Sequence, residues 1–309
     1  MRSWTVVISW VVALLAMVIF SCERKGSRTV AVKESSKIIK SVMESFHDPI
    51  EQEGIISYRP EITVDSFILQ TNYNQNGELI ERSKFNSRGS LVGKEILTYD
   101  QNNNNTEKRV YEFNKITNRT TTIFNALNQI VENKEYDADG KATKKVMVQQ
   151  NNDGSQLASY YRLANGVLVK TSEKKFDVNQ NNVETRNFSH EKLMSMELNQ
   201  YDDQKNRIEH IQYNPIRNEK KITHFKYDKH NNIIERIVLN NSSIIVSKSS
   251  FIYDAKNNLV RCYFFGIGGE LKQYTEHHYE YDEAGNWIKK ITMINRKPVS
   301  VVLHRIEYF

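Results

Sequence analysis

The sequence predicts an all-β protein: an antiparallel meander of repeated β-hairpins forming a sheet strip, which can be open, coiled or closed. A short motif recurs from residue 73 to the C-terminus, and Asn-rich and Asp-rich turns separate runs of strand-forming residues. Only four prolines interrupt the chain, and no segment after His47 has a convincing apolar period of 3.6 residues. Because each unit of a repeat array buries its face against its neighbours, residues 51–309 can form one β-hairpin repeat domain.

The repeated unit is an aromatic residue, Asp or Asn, two or three polar residues, Gly or Asn, one further residue, and a bulky apolar residue. In its clearest copy, Tyr281 ends one strand and Trp287 opens the next. Asp282 can accept a hydrogen bond from a backbone N–H two residues on, and Gly285 supplies the positive φ of the turn. The aromatic and apolar residues then pack as cross-strand neighbours, each pair contributing a few tenths to about 1 kcal/mol.

Copies of this unit organise the domain. Early copies start about 12 residues apart, and later strong copies start about 26 residues apart. The residues predicted to form the repeat turns and packed core are Tyr73, Gly77, Phe85, Gly89, Tyr136, Asp137, Gly140, Tyr227, Asp228, Tyr253, Asp254, Tyr281, Asp282, Gly285 and Trp287.

The N-terminus carries a targeting signal. One basic residue, Arg2, precedes an apolar run over residues 4–20, and Ser21 and Cys22 follow. Residues 1–21 resemble a bacterial lipoprotein signal peptide, which implies cleavage before Cys22, acylation of its thiol and attachment to a membrane. The alternative is a single transmembrane anchor, since about 17 apolar residues is the short limit for crossing a bilayer.

Residues 22–32 are polar and basic, and we expect a tether there. Residues 33–48 are expected to form a short amphipathic helix, because Ile38, Ile39, Val42, Met43 and Phe46 follow helical spacing. The helix is expected to cover the first edge of the sheet, with a partner-binding or membrane-lying helix as the alternative.

The charge pattern argues against nucleic-acid binding. The net charge of +6 is spread along the chain without a basic block. Once Cys22 is acylated, Cys262 is the only remaining cysteine, so no intrachain disulfide can form.

No motif predicts a catalytic residue, a cofactor or a metal. His277 and His278 are adjacent on a strand and point to opposite faces, so they cannot share an ion. The segments around Asp137 and Asp282 faintly resemble calcium loops, but they lack the bidentate Glu and coincide with repeat turns. We therefore expect no enzymatic activity.

The aromatic-Asp-x-x-Gly-Asn unit resembles the tyrosine-aspartate (YD) repeats of the Rhs and teneurin class. The residues that carry this resemblance are Tyr136 to Gly140, Tyr227-Asp228, Tyr253-Asp254 and Tyr281 to Asn286. The resemblance implies a β-sheet strip that encloses a toxin domain or presents a surface to carbohydrate or protein partners. We expect the strip architecture here, but not encapsulation.

The leading functional hypothesis is a non-catalytic lipoprotein of the bacterial cell envelope that presents a β-sheet surface to an envelope polymer or protein. Glu23, which follows Cys22, favours the outer membrane by resemblance to lipoprotein sorting rules. The alternatives are a half-barrel carrier of lipid or lipoprotein with a concave apolar face, and an uncharacterised hydrolase.

Overall fold

The computed structural model describes residues 37–62, 67–164 and 166–309, and its regular elements there are β-strands. Within these ranges no helix is long and apolar enough to cross a membrane. The strands are β1 (Ile39–Gln52), β2 (Ile55–Ile62), β3 (Ile68–Tyr73), β4 (Leu79–Phe85), β5 (Leu91–Tyr99), β6 (Asn105–Glu112), β7 (Lys115–Phe124), β8 (Ile130–Tyr136), β9 (Ala142–Gln150), β10 (Gln156–Ala164), β11 (Val167–Phe176), β12 (Asn182–Ser189), β13 (Lys192–Tyr201), β14 (Arg207–Asn214), β15 (Glu219–Tyr227), β16 (Ile233–Leu239), β17 (Ile245–Tyr253), β18 (Leu259–Phe265), β19 (Leu271–Tyr281), β20 (Trp287–Ile294) and β21 (Lys297–Tyr308).

From β3 to β21 every strand pairs antiparallel with the next strand along the chain. The predicted meander of hairpins is therefore confirmed. Short turns are sufficient to connect these strands, because antiparallel neighbours need no crossover.

The strip is closed and not open, because its two ends pair with each other. One edge of β1 pairs with β21, from Ile39 opposite Tyr308 to His47 opposite Val301. The other edge of β1 pairs with β3 near Glu44 and with β2 beyond His47. Since β2 and β3 occupy one strand position, the sheet closes into a 20-strand barrel.

The expected N-terminal helix is wrong for the part of it that the structure describes, since β1 runs from Ile39 to Gln52. Val42 and Phe46 lie on one face of this strand, and Met43 and His47 lie on the other. The apolar spacing fits either structure locally. Pairing with β21, more than 250 residues away in sequence, decides the outcome. The segment does cover the sheet edge, but it does so as the closing strand.

The predicted signal peptide, tether and lipidated Cys22, together with residues 33–36 of the expected helix, lie outside the described residues. They remain predictions.

The two rims of the barrel differ in turn chemistry. Between β3 and β20, the turns at one rim all have five residues and begin with Asn or Asp; we call this the Asx rim. Their first residues are Asn74, Asp100, Asn125, Asn151, Asp177, Asp202, Asp228, Asp254 and Asp282. The opposite rim, which we call the distal rim, has turns of varied length, including the two-residue turn Phe113-Asn114. Both ends of the described chain lie at the Asx rim, because Ile39 pairs with Tyr308.

The strand register also defines two faces of the wall, because paired residues share a face. The tyrosine face carries Tyr99, Tyr201 and Tyr227, and the ion-pair face carries Glu132 and Glu235. On the ion-pair face, each of these glutamates binds lysines from neighbouring positions at 2.7 to 2.8 Å.

The wall has no solid core. In the described strands the buried apolar side chains are Ala158, Val238, Phe251, Val301 and Val302. Two sheets stacked face to face would bury alternate residues along every strand. Most side chains on both faces are instead only partly covered, so the sheet encloses a hollow lumen.

Val301 lies at the closing seam and is 0% exposed. We expect Val301→Ala to lower the free energy of unfolding by about 2 kcal/mol through lost burial and a residual cavity. Val299→Ala on the same strand, where the side chain is 43% exposed, is the control and should change stability by less than about 0.5 kcal/mol. Urea unfolding of both variants checks this, and equal effects would contradict the seam described here.

Candidate functional site

A belt of aromatic and aliphatic side chains lies on the tyrosine face beside the Asx rim. The aromatic members are the last residues of alternate strands, except that Tyr279 lies two residues before the end of β19. The aliphatic members are the second residues of the strands between them. The belt consists of Tyr73, Ile80, Tyr99, Phe124, Val131, Phe176, Val183, Tyr201, Ile208, Tyr227, Ile234, Tyr253, Val260, Tyr279 and Ile288.

A ladder of tyrosine hydroxyls fixes five of the aromatic members of the belt. Tyr227 donates to the carbonyl oxygen of Arg207 at 2.8 Å, and Tyr253 donates to that of Ile233 at 3.0 Å. Equivalent bonds are made by Tyr99, Tyr201 and Tyr279. Each ring therefore lies over the neighbouring strand, and its apolar surface remains in the belt.

Burial raises the pKa of Tyr227 to about 12. The pKa of Tyr281 is also raised to about 12, by burial and by the hydrogen bond to Asp254. Both phenols are therefore neutral donors at physiological pH.

The turns below the belt are held by their first residue. Asp228 Oδ1 accepts hydrogen bonds from the backbone N–H groups of His230 at 2.8 Å and Asn232 at 2.9 Å. Its Oδ2 accepts a bond from the Asn232 side chain at 3.0 Å. Burial alone would raise the pKa of Asp228, but these hydrogen bonds lower it below its ordinary value.

Side-chain hydrogen bonds also join neighbouring turns along the Asx rim. Asn206 donates to Asn231 at 2.8 Å, and Asn232 donates to Asn257 at 3.1 Å. At the end of the series, Tyr281 donates to Asp254 at 2.8 Å. These contacts tie successive hairpins together and fix the spacing of the belt above them.

An open pocket of about 520 Å³ lies where the belt meets two of these turns. Ile208, Phe225 and Tyr227 form its apolar side, and Asp202 and Asp228 are among its polar residues. Ile208 is 37% exposed and Ile234, on the next belt position, is 38% exposed. The belt therefore retains accessible aliphatic surface next to an acidic rim.

The structure divides the predicted repeat residues into two groups. Tyr73, Tyr227 and Tyr253 lie on the tyrosine face at the Asx rim, each opposite the first residue of the next strand. Phe85 and Tyr136 instead end strands at the distal rim and lie on the ion-pair face. Their turn residues Gly77, Gly89, Asp137 and Gly140 divide in the same way, Gly77 lying at the Asx rim and the other three at the distal rim.

The copy that is clearest in sequence departs from the structural pattern. Tyr279 makes the carbonyl bond of the ladder, at 3.1 Å to Leu259. Tyr281 binds Asp254 instead, while Asp282 and Gly285 form the usual turn. Trp287 pairs with Tyr281 and stacks on His304 at 3.5 Å between ring centroids. The turns that begin at Asp254 and Asp282 are 28 residues apart, two more than the turns that begin at Asp228 and Asp254. Tyr281 therefore lies two residues beyond the ladder position, which Tyr279 occupies.

Sequence reasoning missed the aliphatic half of the belt and one polar position. Gln150 stands where the other alternate strands end in an aromatic residue, and its hairpin lacks the register shift seen beside Tyr227. Its side-chain amide is buried and has no hydrogen-bond partner. The 26-residue period counted from Phe124 would have located Gln150, since it depends on position rather than residue type.

The histidines and the cysteine do not form a site. His277 contacts Thr292 at 3.1 Å, and His278 faces the other side of the sheet opposite Ile291. Cys262 is half-buried on β18. Over the described ranges, no group of three or more His, Cys, Asp or Glu side chains is placed to hold a metal ion.

No protein-family model matches the chain, and no curated protein matches it. Among solved structures, a porin-like protein from Bacteroides uniformis aligns at 9% identity and TM-score 0.36, covering 87% of this chain and 98% of that chain. A porin-like protein from Bacteroides vulgatus aligns at 11% identity and TM-score 0.30, covering 88% and 98%. A LolA superfamily protein from Nitrosomonas europaea aligns at 8% identity and TM-score 0.20, covering 88% and 86%. With TM-scores below 0.5, we base no argument on these similarities, and the Rhs and teneurin resemblance remains a prediction.

We expect Asp228→Ala to destabilise the barrel by about 1 to 2 kcal/mol, because three hydrogen-bond donors lose their acceptor. Asp228→Asn is the milder variant: it keeps the two backbone bonds to Oδ1 but loses the bond from the Asn232 side chain, so its cost should be smaller than that of Asp228→Ala. Asn74 accepts the same backbone bonds in its own turn.

The pH dependence separates these variants further. The folded pKa of Asp228 is lowered, so its contribution is complete above the unfolded pKa and is lost as pH falls through the folded pKa. Urea midpoints measured between pH 2 and pH 7 should show a smaller acid loss in Asp228→Asn than in the natural chain. Parallel curves would contradict the role of this carboxylate.

Proposed function

We propose that this protein is a non-catalytic carrier of the bacterial cell envelope, whose barrel lumen holds an amphipathic, lipid-like ligand against the belt. The observation that carries the proposal is the accessible aliphatic surface of Ile208 and Ile234 between tyrosines whose hydroxyls are already bonded. A carrier requires no catalytic group, and we assign none.

The chemistry of the belt suits an acyl chain with a polar head. Contact with the aliphatic members removes apolar surface from water, at roughly 25 cal/mol per Å². The tyrosine rings add broad apolar area at small entropic cost, because each has only two side-chain torsions. The Asp carboxylates of the Asx rim can accept further hydrogen bonds beyond those they already receive, and so provide acceptors for the head.

Burial indicates that the tyrosine face lines the lumen. Ten strand residues are buried on this face. They are Ala158, Thr185, Asn199, Thr223, Val238, Ser249, Phe251, Thr275, Thr292 and Val302. Buried residues of the described strands on the ion-pair face are His47, Ser83 and Val301. Side chains converge on the concave side of a curved sheet, so the more protected face is the inner one.

Closure favours a carrier over the leading hypothesis from the sequence. An open scaffold would present two faces and two free edges to partners. Here the edges are used in the pairing of β1 with β21, and the face that carries the belt is enclosed. The closed barrel thus fits the carrier alternative better, although it is a complete barrel and not a half-barrel.

The charge distribution supports a wall that meets water on both sides. Glu235 pairs with Lys226 and Lys248 on the ion-pair face, and Glu95 lies between Arg82 and Lys108 on the tyrosine face. A barrel embedded in a bilayer needs an outward apolar band about 25 Å tall. Charged pairs on both faces interrupt any such band.

Attachment through an acylated Cys22 would hold the barrel at a membrane. Between Cys22 and Lys37 lie 14 residues, which span at most about 50 Å when fully extended. This reach exceeds the length of an 11-residue strand, about 36 Å. A tether that joins the Asx rim can therefore allow either rim to meet the membrane.

Native mass spectrometry of the full chain tests the proposal. We expect a bound mass of several hundred daltons that is released on unfolding, and at least a fivefold lower occupancy in Ile208→Asp/Ile234→Asp. Ile252→Asp is the control, because Ile252 is 44% exposed on the ion-pair face. A folded chain with a clean apo mass, or equal occupancy in both variants, would contradict the carrier.

A further inference from the structure

The distal rim carries a ring of protruding apolar side chains. They are 52% to 72% exposed and lie at or directly beside six different distal-rim turns. We call this set the apolar crown, and its members are Ile55, Phe113, Val167, Ile216, Ile244 and Ile267. No other single rim or face of the described barrel has apolar tips repeated in this way around its circumference.

Cationic side chains lie in or beside several of the turns between crown members. Arg88 lies in the turn between Ile55 and Phe113, Lys141 lies in the turn between Phe113 and Val167, and further cations follow at Lys192, Arg217 and Arg296. Acidic residues also occur there, at Glu53, Asp137, Asp139, Glu191 and Glu270, so the distal rim is mixed in charge. Six of the nine Asx-rim turns, by contrast, begin with Asp.

The arrangement favours a flat and extended partner. Turns on one rim are two strands apart, or about 10 Å, so crown members are separated by about 10 to 20 Å. A protein interface needs a contiguous apolar core, which these separated tips do not provide. A bilayer surface accepts isolated apolar side chains at the level of its headgroups and meets all members of the ring together.

We propose that the apolar crown docks the distal rim onto a phospholipid bilayer, with Phe113 and the aliphatic tips inserted among the headgroups and the intervening cations facing lipid phosphates. The Asx rim is less suited to this contact, because its nine turns hold ten acidic side chains and only three lysines, a larger acidic excess than at the distal rim. This inference is independent of the carrier proposal, since it concerns the opposite rim and requires no ligand in the belt.

Site-specific photocrosslinking tests the docking in the full chain. Benzoylphenylalanine replaces Phe113, Ile267 or Leu127 in separate variants reconstituted into vesicles of phosphatidylethanolamine and phosphatidylglycerol. Leu127 is the matched control, because it is 77% exposed in a turn of the Asx rim. All three variants carry the same N-terminal segment, so membrane attachment alone affects them equally.

We expect at least five times more lipid adduct at positions 113 and 267 than at position 127. Equal lipid yields at the two rims would overturn the proposal. An adduct at position 113 to a second copy of the chain, in place of lipid, would overturn it as well and would identify the crown as a protein contact.

Discussion

The pairing of β1 with β21 is the contact on which the rest of this structure depends. Apart from the pairing of β1 with β3, every other strand pair joins neighbours along the chain, whereas Ile39 and Tyr308 are brought together across almost the whole sequence. Without this pairing, the same hairpins would form a strip with two open edges. With it, one face of the sheet becomes an inner surface, and the turns at each end of the strands form a closed ring. The seam is reinforced by Glu44 and His304, whose side chains lie 2.8 Å apart, and by the fully buried Val301.

Closure also explains how one repeated sequence unit supports different surfaces. The wall is one sheet thick, so alternate residues of each strand belong to the lumen or to the exterior. The inner face can then hold tyrosines and aliphatic residues near the Asx rim, while the outer face neutralises its glutamates with neighbouring lysines, as Glu132 does with Lys134 and Lys145. Because consecutive turns alternate between the rims, acidic Asx turns are concentrated at one end and apolar tips at the other. The carrier and docking proposals use these separate regions of one wall.

Local sequence was sufficient for the strands and turns but not for the closure. The Asp-Gly and Asp-Asn turns, the strand boundaries and the antiparallel order follow from short-range chemistry, such as the bonds that Asp228 accepts within its own turn. The apolar residues at positions 42, 43 and 46 suggested a helix. The secondary structure of residues 39–52 is decided instead by pairing with strands far away in sequence, which the local pattern does not contain. The sequence motif identified aromatic members of the belt but not its aliphatic members. Ile208 and Ile234 resemble ordinary strand residues, and only the strand register places them beside tyrosines. The motif did not include Gln150, because it required an aromatic residue at that position.

The most direct test of this account is a covalent link across the seam. Ser45 and Leu303 are register partners on β1 and β21, so cysteines at these positions should lie within disulfide range. The double variant Ser45→Cys/Leu303→Cys, made with Cys262→Ser, should form an intramolecular disulfide in the folded monomer under mild oxidation. Ser45→Cys/Ser250→Cys is the control, since Ser250 lies on the distant strand β17. A closed barrel predicts nearly complete linkage of the first pair and none of the second. No linkage of the first pair above the control would show that the ends of the sheet do not meet.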